Sequence, residues 1–87
     1  MAEQFQAHPN VTVTFAHLRD VAMRKGWTTR MHIFDCGHYV AVYDEQGKQI
    51  ISKTWRCDED DMPDGASQCA GWLIERGKLT FADFDAN

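Results

Sequence analysis

Several things are scarce in this sequence, and each shortage excludes a class of protein. No run of apolar residues approaches the ~18 that a membrane-spanning helix needs, and no membrane association is expected. Met1-Ala2-Glu3-Gln4 has neither the basic nor the apolar region of a secretory signal. The three cysteines, Cys36, Cys57 and Cys69, are an odd, widely spaced set without a CxxC. Such a set suits a reducing compartment, so a cytoplasmic location is expected. Cys69, in a small-residue helical stretch, reads as core. The six glycines are isolated from one another, so no glycine-rich loop is present to cradle a phosphate. No cofactor is expected.

What is present is the material of one small globular domain. The chain has 87 residues, 44% of them hydrophobic and 25% charged, an ordinary balance for a folded soluble protein. Charge is unevenly distributed around a net of −4. Residues 1–56 balance at +2, whereas residues 57–87 balance at −6, with Asp58, Glu59, Asp60 and Asp61 in one run. Nucleic-acid-binding domains gather lysine and arginine on one face, so direct nucleic-acid binding is disfavoured. An acidic patch suits a basic protein surface instead, where complementary fields speed encounter and select partners.

Along the chain, residues 1–10 read as a flexible leader and 11–87 as a single domain. Val11, Val13 and Phe15 alternate with threonines, the pattern of a short edge strand at 11–14. Thr14 suits a helix N-cap, and Phe15, Leu18, Val21 and Ala22 recur at helical spacing up to Lys25 and Gly26. Residues 28–34, 38–43 and 48–55 read as strands, rich in β-branched and aromatic types and joined by short turns. Asp64 then caps a second helix bearing Ala66, Cys69, Ala70 and Leu73 on one stripe, in which Gly65 and Gly71 weaken the helix. Residues 78–87 read as a short strand or a docked tail. The fold class is α+β: a three-stranded antiparallel meander packed against two helices, in the order α-β-β-β-α, with a leading edge strand as an optional addition.

Three constellations bear on function. His32, Cys36, His38 and Cys57 supply two nitrogen and two sulfur ligands, a set that zinc accepts tetrahedrally, although their spacing matches no common finger. Tyr39 and Tyr43 share one face of the middle strand, with Trp55 as a candidate neighbour from the next. Tyrosine and tryptophan dominate interface hot spots, so an open face carrying them would be a contact patch; Phe81 and Phe84 of the tail are the candidates to cover it. Asp58–Asp61 is the third, as a charged contact.

The α-β-β-β-α order resembles that of double-stranded-RNA-binding domains. More narrowly, Lys25-Gly26-Trp27 after the first helix, Gly37-His38 opening the middle strand and Met62-Pro63-Asp64-Gly65 leading into the last helix are similar to motifs of HicA-type toxins. The resemblance spans about residues 15–79. It implies an RNA-binding toxin or ribonuclease in which His38 is the general acid/base. The chain departs from that family in its acidity and in Cys36-Gly37-His38, which lacks the serine before the histidine.

Weighed together, these features lead to the expectation of a small acidic non-enzymatic regulatory or inhibitory protein acting on a macromolecular partner. The partner would be a protein, such as one with a basic nucleic-acid-binding surface. Small acidic domains without a catalytic constellation are common among phage and mobile-element antagonists of host defence, of the anti-CRISPR or nuclease-inhibitor type. The residues expected to make contact are Asp58, Glu59, Asp60, Asp61, Tyr39, Tyr43 and Trp55. The HicA-like ribonuclease using His38 and a zinc-stabilised binding module are the alternatives.

Overall fold

A computed structural model describes residues 13–58 and 63–85. Thr14 caps α1 (Phe15–Arg24), its hydroxyl accepting from the His17 N–H, and Leu18, Val21 and Ala22 form the buried stripe. Three strands follow, β1 (Thr28–Phe34), β2 (Gly37–Tyr43) and β3 (Gln49–Arg56), in one antiparallel sheet of order β1-β2-β3. Asp64 caps α2 (Gly65–Glu75) by accepting from the Ser67 N–H, as its place before the small-residue stripe predicts. The protein is therefore an α+β domain with the expected meander. The proposed leader, residues 1–10, lies outside the described residues, as do the first two positions of the proposed edge strand. Val13 and Thr14 belong to no strand, and the described sheet has three.

Both long helices pack on one side of the sheet. Val40 and Val42 of β2 meet Leu18 and Val21 of α1 and Cys69, Ala70 and Leu73 of α2 in one core, with Trp27, Ile51 and Trp72 half-buried around it. Trp72 is covered from outside by the Arg76 guanidinium, 4.7 Å from the ring centre. Val13 is fixed to α2 by a reciprocal pair of bonds: its N–H donates to Ser67 Oγ at 3.0 Å, and that hydroxyl donates to its carbonyl at 3.2 Å. The β2–β3 turn is held by Asp44, whose Oδ1 accepts from the N–H groups of Gln46 and Lys48, both at 2.9 Å. Just beyond it, Tyr43 pairs with Gln49 but Val42 with Ile51, so Ile50 is an extra residue in the ladder.

The tail docks, but as a helix. Thr80 and Asp83 cap α3 (Phe81–Asp85) reciprocally: the Thr80 N–H donates to Asp83 Oδ2 at 2.8 Å, and the Asp83 N–H to Thr80 Oγ1 at 3.3 Å. Phe84 meets His17 of α1 edge-to-face, and Lys25 reaches Asp83 at 3.7 Å. No described helix is long and apolar enough to cross a membrane.

Two predictions arise from these ties. Ser67→Ala strips buried Val13 of both partners and should lower unfolding stability by about 1–3 kcal/mol in a denaturant titration. The Thr80 N–H first, and Lys25 less strongly, hold the Asp83 carboxyl below its usual range. A lowered carboxylate contributes stability above its unfolded pKa and loses that contribution as pH falls through the folded value. Asp83→Asn should therefore lower Tm by ~2 °C at pH 7, a deficit that disappears near pH 2.

Candidate functional site

Strand pairing sorts the sequence-predicted residues onto two faces. Residues directly opposite in an antiparallel ladder share a face, and successive residues alternate. Val40 and Val42 lie against the helices, so the residues paired with Tyr39, Ala41 and Tyr43 face away from them. These are Thr28, Arg30 and His32 on β1, and Gln49, Ser52 and Thr54 on β3. Among the described residues no element covers this face, because Phe84 packs on α1 and the helices contact the other side.

A groove of about 550 Å³ is lined by Arg30, His32, Tyr39 and Tyr43 of the open face, together with Met31 of the edge strand β1. Ala41 is fully buried although it lies on this face, so its larger neighbours shield it and it forms the floor between the tyrosines. His32 stacks on Phe34 with ring centres 6.4 Å apart. At the open-face positions the ionisable groups are Arg30, Arg56, His32 and the two tyrosines, without a carboxylate. Carboxylates stand instead at both ends of the sheet, Asp35 and Asp58 at one and Asp44 and Glu45 at the other.

Trp55 does not join the tyrosines. It pairs with His38 and shares its face, where the two rings stack with centres 5.4 Å apart and planes at 21°. Asp58 is exposed just past the end of β3, while Glu59, Asp60 and Asp61 lie outside the described residues. The tyrosines and the tryptophan therefore lie on opposite faces and do not form one patch.

His38 has a structural task. Its Nε2 accepts the Gly65 N–H at 2.9 Å, satisfying one of the donors that the first turn of a helix leaves unpaired. Gly65, which helix propensity alone marks as a weakness, suits this position, where a Cβ would press on its neighbours. A Cβ there would come within 3.0 Å of the His38 ring and 3.1 Å of Val40 Cγ2. One of the two ring nitrogens of His38, the general acid/base of the HicA-like reading, is thus occupied as a helix acceptor.

The four candidate zinc ligands are not gathered. His32 lies on the open face and His38 on the helical face, with Nε2 engaged. Among the described residues no three histidine, cysteine or carboxylate side chains form a metal-binding group. Cys36 and Cys57 do meet, the Cys57 N–H donating to the Cys36 carbonyl at 2.8 Å. Cys69 is core, as its stretch predicts, and burial pushes its thiol up to about 12. Sequence reasoning passed over Arg30, although its place two residues before His32 in an alternating strand puts both on one face.

His38→Ala should lower unfolding stability by roughly 2 kcal/mol, through the orphaned Gly65 N–H and the lost stacking. His38→Gln, whose side-chain oxygen can accept the same bond, should recover part of that loss. Stability unchanged in both variants would refute the structural role. Comparison with known protein families, with curated proteins and with solved structures found no match, which leaves the geometry of the two faces as the guide to function.

Proposed function

We propose that this chain is a non-enzymatic binding module that engages a protein partner through the open face of its sheet. The observation that carries this reading is the uncovered pair Tyr39 and Tyr43 flanking the Ala41 floor, with Arg30 beside them. Tyrosine and arginine are the residue types that dominate protein interfaces, because each combines a large apolar surface with a directional polar group. The charge layout favours a protein over a nucleic acid. A phosphate chain laid along the strands would leave Arg30 and meet Asp35 and Asp58, or Asp44 and Glu45, at the ends. A folded partner can match a basic centre with carboxylates and acidic ends with lysine or arginine.

In this reading the charges of Asp58, Glu59, Asp60 and Asp61 steer a partner that has a basic surface. The inhibitory role expected from composition would follow if that partner is a nuclease or another nucleic-acid-handling protein, of the kind phage antagonists target.

The test uses the full chain as bait in nuclease-treated lysate, beside Tyr39→Ser/Tyr43→Ser and Arg30→Glu variants of unchanged melting temperature. The wild type should retain a protein stoichiometrically. With that protein purified, the double tyrosine variant should bind about 30-fold or more weakly, corresponding to a hot spot of at least ~2 kcal/mol. Neutralising the four acids should slow association at low salt and have little effect at high salt. Equal affinity of wild type and double variant, or retention only of material that nuclease removes, would overturn the proposal.

A further inference from the structure

Gly37 is the reason two of the cysteines meet. Its φ of +154° is a conformation that side chains disfavour. A Cβ at this position would run into the Trp55 carbonyl and stand 2.9 Å from Arg56 Cα. The start of β2 can therefore lie hard against the end of β3. Gly37 pairs with Arg56, and one step further out the Cys57 N–H donates to the Cys36 carbonyl. Residues opposed across an antiparallel pair have Cα atoms ~4.5–5.5 Å apart, inside the ~4.4–6.8 Å that a disulfide spans. Both side chains are exposed to reagents. The neighbouring Cys36 thiol is also the first cause that holds the Cys57 thiol above its usual range.

We propose that Cys36 and Cys57 form an oxidative modification site, a cross-strand dithiol that closes to a disulfide by exchange with a low-molecular-weight disulfide such as glutathione disulfide. One cysteine, as thiolate, attacks a sulfur of the external disulfide, forming a mixed disulfide and expelling one small thiolate. The second cysteine gives its proton to solvent and attacks the protein sulfur of that mixed disulfide. The protein S–S bond forms and the second small thiolate leaves. The protein gives up two electrons and two protons, and the external disulfide becomes two thiols.

The cross-link would clasp the start of β2 to the end of β3 and close the loop that contains both strands. It would also fix the point at which Asp58 leaves the sheet. Cys69, buried and held protonated, stays outside the exchange and serves as an internal control.

The full chain is equilibrated in glutathione buffers of increasing oxidation, quenched with acid, and read by intact mass, alkylation after denaturation, and non-reducing peptide mapping. The expected product is a monomer ~2 Da lighter, with Cys69 as the single alkylated thiol, a Cys36–Cys57 peptide, and a Tm raised by roughly 10 °C or more. Cys36→Ser and Cys57→Ser should show none of these and should stop at a glutathione adduct on the remaining exposed thiol. Wild-type protein that accumulates adducts on both cysteines without closing, that links between chains, or that keeps three thiols in the most oxidising buffer would overturn the proposal.

Discussion

The bond from the Gly65 N–H to His38 Nε2 is the contact on which the rest of this small structure depends. A short helix has little intrinsic stability in water, and α2 forms because it can bury a stripe against the sheet. One donor of its first turn is satisfied by a side chain of the strand beneath it. That strand also supplies Val40 and Val42 to the core, and Trp55 holds the imidazole from the other side. The same few atoms set the height of the helix above the sheet, because a methyl group at Gly65 would press on the His38 ring at 3.0 Å and on Val40 Cγ2 at 3.1 Å. A chain of this size buries a modest fraction of its surface, so one directional bond in this position has a large share in fixing helix on sheet.

Local features were legible in the sequence. Thr14 and Asp64 are caps where their side chains and the apolar stripes after them predict, and the three strands follow their β-branched and aromatic runs. The α3 helix was missed: Thr80 and Asp83 cap it reciprocally, but an acidic tail with two phenylalanines reads as readily as a short strand. What could not be read were contacts between distant residues. His38 and Gly65 are 27 positions apart, and no local periodicity says that one caps the other. The half-buried tyrosines of the open face were half legible: alternation puts Tyr39 and Tyr43 together, but which of the two faces stays bare depends on where both helices and the tail settle.

The two faces divide the labour of the domain. The helical side takes the apolar residues together with the histidine and tryptophan that look most like a site. The open side has tyrosine, arginine and histidine around an alanine, with the carboxylates kept to the ends. An acidic protein can thus present a locally basic, aromatic surface, because net charge says nothing about where the charges stand.

Ile50, the extra residue in the β2–β3 ladder, acts as a phase shift along everything that follows it. Counted outward from the turn without it, Trp55 would fall opposite Gly37 and look out beside Tyr39, which is the arrangement that simple alternation suggests. His38 would lose its stacking partner, and Arg56 rather than Cys57 would stand opposite Cys36. One inserted position near the hairpin thereby decides, at the far end of the sheet, that the tryptophan turns inward and that two cysteines come opposite each other.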